Sequence, residues 1–192
     1  MEPRPLVYVS RITNLSDARY CAGMGVDLLG FVIDPADPDY VSPETYQQLV
    51  GWLSGPERVA EVGSASFNEE QLREQYAPQY VHVASHRLSQ WPVTDIKLIV
   101  EAPADALSSL RSQLEDRGDV AYVIVPGLEA QLPARVATSI PVLTGILPSQ
   151  GHSLTHLART GAAGIVLQGS RETAPGLKDY DHLSQVLEEL NG

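Results

Sequence analysis

Cysteine is almost absent from this sequence, since Cys21 is the only one. An internal disulfide is therefore excluded, and no cysteine cluster exists that could hold zinc. His152 and His156 are four residues apart on a predicted helix, but no Asp or Glu is near enough in sequence to complete a metal site. We expect neither a metal nor a cofactor. The lack of disulfides fits a reducing compartment, and a cytoplasmic location is expected.

Positive charge is also scarce. Lys and Arg number 13 against 24 Asp and Glu, which gives a formal net charge of −11. An acidic surface of this kind argues against nucleic acid or an anionic membrane as a partner. A small anionic metabolite stays compatible with it, because local backbone amides bind phosphate whatever the overall charge.

Long hydrophobic runs are missing, and none approaches the ~20 residues of a membrane helix. The segment Met1–Pro5 lacks the basic, apolar and small-residue pattern of a secretion signal. A hydrophobic content of 43% with 19% charged residues is typical of a globular chain. At 192 residues we expect one domain spanning residues 1–192.

The sequence does contain a regular alternation of short β-branched runs and helix-like stretches. The runs are nearly continuously apolar, which is typical of parallel strands covered on both faces. Eight strands are predicted: Leu6–Ile12, Asp27–Ile33, Arg58–Gly63, Gln79–Ala84, Ile96–Glu101, Ala121–Val125, Pro141–Ile146 and Gly164–Gln168.

Helices are predicted between these strands from apolar residues at i, i+3, i+4 and i+7. Ser42 followed by Pro43 indicates a helix start, and Asn68 with Gln71 resembles a capping box. Eight strand–helix units in 192 residues leave 24 residues each, so some helices must be short or missing. The segments after Ala84 and after Gly127 have the weakest helical pattern.

Both an open doubly wound sheet and an eight-stranded barrel alternate strands and helices in this way. The open sheet would place a glycine-rich phosphate turn after the first strand. That turn here is 10–14, Ser-Arg-Ile-Thr-Asn, without glycine. The sequence therefore favours an α/β fold of the small (β/α)8 TIM-barrel type.

Three segments carry a family resemblance. The segment 12–27, continuing into 29–32, resembles the opening of phosphoribosylanthranilate isomerase. The segment 38–44 resembles that family's loop after the second strand, and 172–179 resembles its stretch after the last strand. Between about 58 and 140 only the order of elements is similar. The resemblance implies a (β/α)8 barrel that binds its ligand at the C-terminal ends of the strands.

The resemblance also implies a chemistry, which is the Amadori rearrangement of a phosphoribosyl aminobenzoate in tryptophan biosynthesis. In that family a cysteine ending the first strand is the general base, and an aspartate ending the sixth strand is the general acid. Backbone amides after the seventh and eighth strands hold the phosphate.

This chain departs from the pattern at each of those places. Ser10 stands at the cysteine position, with Arg11 at the glycine that follows it. The segment 123–126, at the aspartate position, contains no acid. Asp39 replaces an arginine of the ligand loop, which reverses the charge.

The phosphate-binding loops are also reduced. Gly145 is followed by Ile146 instead of a second glycine, and Gln168 precedes the remaining Gly169. Together with Ser170, these residues are candidates for a smaller anion-binding site.

Other polar residues near the predicted strand ends are candidates for a ligand site at the mouth of the barrel, where the C-terminal ends of the strands meet. Arg11, Asp39 and His82 are predicted to contact a ligand, although an exposed salt bridge would equally explain Arg11 and a polar niche in the barrel would explain His82. Glu101, and similarly Glu61, could serve as a relocated acid or could simply accept hydrogen bonds from loop amides. Ser10 is either a weak base or an inert strand-end serine.

These residues support three hypotheses. The one we favour is a degenerate or repurposed relative, in effect a pseudoenzyme, that binds a small phosphorylated metabolite with little isomerase activity. The second is an active isomerase using Ser10 and Glu101, and the third is a protein-interaction module without a ligand. Losing a general acid or a general base costs ~10²–10⁴-fold in rate, which is why the first is favoured. A monomer or a homodimer is expected.

Overall fold

The computed structural model describes residues 4–128, 138–145, 157, 159–169, 172–174, 177–178 and 181–191. Within these residues the chain forms eight parallel strands that close into a barrel. The strands are β1 (Leu6–Ser10), β2 (Leu28–Val32), β3 (Glu57–Glu61), β4 (Tyr80–Ala84), β5 (Lys97–Glu101), β6 (Val120–Val125), β7 (Val142–Gly145) and β8 (Gly164–Gln168). The predicted TIM-barrel fold is confirmed.

Helices accompany the strands, and the starts of α2 and α3 follow the predicted local signals. They are α1 (Leu15–Gly23), α2 (Pro43–Val50), α3 (Glu69–Gln75), α4 (Leu107–Arg117) and α5 (Asp181–Asn191). The Ser42 side chain caps α2, and Asn68 with Gln71 forms the predicted capping box of α3. After β4 the chain forms only a short 3₁₀ helix, Ser85–Gln90, as the weak helical pattern predicted.

Closure of the barrel depends on pairing between its first and last strands. Leu6 pairs with Gly164 and Ser10 with Gln168, so β1 and β8 run in register over their whole length. A separate antiparallel pair, β9 (Glu172–Ala174) and β10 (Leu177–Lys178), follows β8. Within the described residues, no helix is long and apolar enough to span a bilayer.

The core has two layers, because successive strand residues point to opposite faces. The outer layer packs the strands against the helices and includes residues such as Val9, Phe31 and Val83. The inner layer fills the barrel with Tyr8, Leu28, Val59, Ile99, Ile124 and Leu143. The inner layer is apolar in the interior of the barrel. At the C-terminal ends of the strands, polar side chains occupy the corresponding positions.

Candidate functional site

A polar cavity of about 180 Å³ lies at the C-terminal mouth of the barrel. Parallel strands bring their C-terminal ends to the same face, and in barrels of this class that face carries the site. Strand pairing places Glu61 beside His82, and Ala84 beside Glu101. The residues that line the cavity are Arg11, Val32, Asp37, Glu61, Gly63, His82, Ala84 and Glu101.

Glu61 is the most enclosed acid of the cavity, at 8% exposure. Its Oε1 accepts hydrogen bonds from the Tyr8 hydroxyl at 2.6 Å and from the Arg11 backbone amide at 3.2 Å. Burial dominates and raises the pKa of Glu61, although His82 and the two donors act in the opposite direction. The carboxyl therefore holds a proton to higher pH than an exposed glutamate would.

Gly30 on β2 makes the room that Glu61 and Tyr8 occupy. A Cβ atom at this position would lie 1.9 Å from Glu61 Oε1 and 2.6 Å from the Tyr8 hydroxyl oxygen. Any larger residue would have to displace both groups. The buried Tyr8 hydroxyl stays protonated, because burial first and the neighbouring Glu61 second raise the pKa of Tyr8.

His82 connects the buried pair of Tyr8 and Glu61 to the open part of the mouth. Its Nδ1 lies 3.3 Å from the Tyr8 hydroxyl, and its Nε2 lies 3.4 Å from Glu101 Oε2. The Glu101 side chain is 46% exposed, so it faces solvent while Glu61 does not. The hydrogen bond with His82 lowers the pKa of Glu101, against a smaller opposing effect of burial. The mouth thus contains two carboxyls whose environments favour opposite protonation states.

Arg11 covers one side of the cavity from an unusual backbone conformation. Its φ is 60°, in the left-handed region that costs a non-glycine residue ~1–2 kcal/mol. The guanidinium binds Asp37 and Asp39, both at 2.6 Å. Partial burial alone would lower the pKa of Arg11. The hydrogen bonds to the two carboxylates outweigh this effect, so the pKa of Arg11 is raised. A glycine would adopt this φ without strain, and glycine is the residue that the family resemblance implies here.

Ser10 lies at the end of β1 and is 6% exposed. It is not among the residues that line the cavity. Its carbonyl oxygen accepts a hydrogen bond from the Gly169 amide at 2.7 Å, which ties β1 to the end of β8. A Cβ on Gly169 would lie 2.9 Å from the Arg11 carbonyl oxygen, so this glycine serves close packing between the two strand ends.

The opposite half of the mouth, formed by β6, β7 and β8, is less polar in the described residues. Ile124 is the interior residue near the end of β6, and it belongs to the apolar inner layer. Gly145 has no atom of the described residues within 4 Å of the position of an added Cβ. Gln168 is exposed. Ile146, His152, His156 and Ser170 lie outside the described residues.

The structure thus brings together part of the predicted site. Arg11, His82 and Glu101 line one cavity, with Asp39 bound to Arg11. Gly145 and Gln168 end β7 and β8 on the other side of the barrel, and Gly169 follows β8. In the described part of the chain, no group of three or more His, Cys, Asp or Glu side chains is arranged to hold a metal.

Tyr8 and Asp37 contribute to the mouth but were not predicted from the sequence. Tyr8 precedes Ser10 by two positions, so strand periodicity would place it on the same interior face. Its aromatic ring, however, is equally typical of a residue in the apolar core. Asp37 lies in a loop, where no periodicity indicates direction.

Comparison with solved structures clarifies the architecture. A structure of phosphoribosylanthranilate isomerase in complex with reduced 1-(o-carboxyphenylamino)-1-deoxyribulose 5-phosphate superposes with a TM-score of 0.74 and 19% identity, covering 98% of this chain and 99% of that one. The fold is that of phosphoribosylanthranilate isomerase.

Two further structures agree. TrpF from Jonesia denitrificans has a TM-score of 0.73 at 16% identity, with 98% of this chain and 97% of that chain covered. Monomers generated from the dimeric phosphoribosylanthranilate isomerase of Thermotoga maritima have a TM-score of 0.72 at 18% identity, covering 98% and 99%. No protein-family model matches the sequence, and no curated protein matches it significantly. The likeness therefore concerns the fold.

Proposed function

We propose that this protein is a repurposed relative of phosphoribosylanthranilate isomerase that binds a small phosphorylated metabolite at the barrel mouth. The observation that carries the proposal is the position of the polar groups. They gather on β1, β3, β4 and β5, whereas the interior residue near the end of β6 is the apolar Ile124. An acid–base pair on β1 and β6, as the family resemblance implies, has no counterpart in these side chains.

The two halves of the mouth suit different parts of such a ligand. Hydroxyl groups would hydrogen-bond with Glu101 and Asp37 on the polar side. The charge of Arg11 is shared by two aspartates, so the phosphate is better placed on the β7–β8 side, where no atom of the described residues lies within 4 Å of a Cβ added at Gly145. The related solved structure is in complex with a ligand that carries a 5-phosphate, which supports a phosphorylated ligand.

An active isomerase with Ser10 as base and Glu101 as acid has less support. A serine hydroxyl is a weak base unless a neighbour activates it. The lowered pKa of Glu101 favours its carboxylate form, which is unsuited to donating a proton. Cytoplasmic location, a single domain and a monomeric or homodimeric state stay predictions.

Binding is tested by isothermal titration calorimetry with three probes: reduced 1-(o-carboxyphenylamino)-1-deoxyribulose 5-phosphate, ribulose 5-phosphate and inorganic phosphate. We expect saturable binding of at least one sugar phosphate. Gly145→Leu should weaken it by at least about tenfold, or 1.4 kcal/mol, because the side chain fills the proposed phosphate space. Gly23→Ala is the matched control, since its added Cβ meets nothing within 4 Å and lies on α1.

Three outcomes would count against the proposal. Binding of none of the probes would contradict it and would favour the interaction-module hypothesis. Equal affinity in the Gly145→Leu variant would contradict the orientation of the ligand. Turnover of phosphoribosylanthranilate by the wild-type chain would contradict the claim that the ancestral reaction is lost.

A further inference from the structure

We propose that Glu101 and Glu61 form a relocated acid–base centre, positioned by His82 and Tyr8, that moves protons on a small hydroxy-carbonyl metabolite. The proposal rests on the proposed function, because the same mouth must first bind the metabolite. It differs from the Ser10 hypothesis in its residues, and it gives Glu101 the role of base instead of acid.

The geometry supplies both reacting groups to one cavity. Glu61 and Glu101 belong to β3 and β5, the two neighbours of β4, and both line the same space. Polar contacts run without interruption from Glu61 through Tyr8 and His82 to Glu101, over 2.6, 3.3 and 3.4 Å. A base and an acid that reach one substrate from two sides are what a hydroxy-carbonyl isomerisation requires.

The environments of the two carboxyls assign their roles. Glu61 is enclosed and its pKa is raised, so it is suited to donate a proton. Glu101 is half exposed and its pKa is lowered by His82, so it is suited to accept one. Two titratable groups whose surroundings push their pKa values apart are a recurring feature of acid–base sites. Among the residues that the structure describes, the other charged groups that face this cavity are Arg11 and Asp37, which pair with each other.

The proposed step balances without any co-reactant. Glu101 takes the proton from the carbon beside the carbonyl, and the C–H electron pair forms the C=C bond of an enediol. Glu61 gives its proton to the carbonyl oxygen as the C=O π bond breaks. Glu101 then returns its proton to the former carbonyl carbon, while Glu61 regains one from the other hydroxyl. Both side chains end in their starting states.

Tyr8 and His82 are positioning residues in this scheme. Tyr8 donates to Glu61 Oε1 and fixes the carboxyl in the space beside Gly30. His82 holds Glu101 in its carboxylate form. His82→Asn should therefore raise the pKa of Glu101, so the rate of proton transfer should rise at a higher pH than in the wild-type chain. A merely structural role for His82 would lower the rate equally at every pH.

The test is carbon–hydrogen exchange in D₂O, followed by proton NMR with ribulose 5-phosphate and dihydroxyacetone phosphate as probes. Binding of each probe is measured by calorimetry in the same samples. We expect the wild-type chain to exchange the protons beside the carbonyl. Glu101→Gln and Glu61→Gln should each slow the exchange by about 10²–10⁴-fold with little change in affinity. Glu57→Gln, at the exposed start of the same strand as Glu61, is the matched control.

The outcomes separate this proposal from the proposed function. A probe that binds without exchange overturns the acid–base centre and leaves the binding function intact. Exchange that persists in both glutamate variants also overturns it. If neither probe binds, both the proposed binding of sugar phosphates and the proposed acid–base centre are overturned. If Glu61→Gln does not fold, the exposed Glu101→Gln still decides the result.

Discussion

Glu61 is the residue on which the electrostatics of the mouth depend most. A carboxyl whose pKa is higher in the folded than in the unfolded chain binds more protons when folded. Stability then falls as pH rises through the unfolded pKa towards the folded one, by about 1.4 kcal/mol for each pH unit at most. The cost is absent at acidic pH and fully present above the folded pKa.

Replacing Glu61 with glutamine removes this cost and keeps the shape of the protonated acid. We expect Glu61→Gln to gain stability over the wild-type chain, with a larger gain at pH 8 than at pH 5. Chemical denaturation across that range measures the difference, with Glu57→Gln as the control for a lost surface charge. A gain that is constant or falls with pH would contradict the raised pKa of the buried Glu61.

At the scale of elements, β2 is shaped to admit side chains from β1 and β3. Gly30 is its interior residue beside Tyr8 and Glu61, and an alanine there would overlap Glu61 Oε1 at 1.9 Å. Overpacking of this kind costs ~1–3 kcal/mol. We therefore expect Gly30→Ala to lower Tm by several degrees and to weaken ligand binding at the mouth.

Gly23→Ala provides the comparison, because nothing lies within 4 Å of its added Cβ. It should leave Tm unchanged or raise it slightly, since alanine is the better helix former. Differential scanning fluorimetry measures both variants. Equal Tm values for Gly30→Ala and the wild-type chain would contradict the close packing of Glu61 and Tyr8.

The elements were largely predictable because their signals are local. The eight apolar runs become eight strands whose ends differ from the prediction by at most two residues, and the caps at Ser42 and Asn68 use partners three residues away. The site was predictable only in part. Tyr8 contacts Glu61 across 53 residues of sequence and His82 across 74, and no local pattern encodes such pairs. The left-handed backbone conformation of Arg11 was also not predictable, because arginine rarely adopts a positive φ.

At the scale of the whole molecule, the barrel fold is shared with solved isomerase structures, and the polar groups that line its cavity lie on β1 to β5 and the loops that follow them. Solved isomerase structures superpose on nearly the full chain at less than 20% identity. Packing in two layers requires apolar residues of suitable size, which many sequences satisfy. Catalysis requires particular side chains at particular strand ends. The same fold can therefore carry different side chains at its strand ends.

The proposal that this chain does not catalyse the isomerase reaction is tested most directly by growth without tryptophan of a bacterial strain that lacks phosphoribosylanthranilate isomerase. A known isomerase expressed in the same strain is the positive control, and immunoblotting verifies that this chain is present and soluble. We expect no growth with this chain, because Ser10 and Ile124 cannot replace a thiolate and an aspartate. Robust growth would contradict the account.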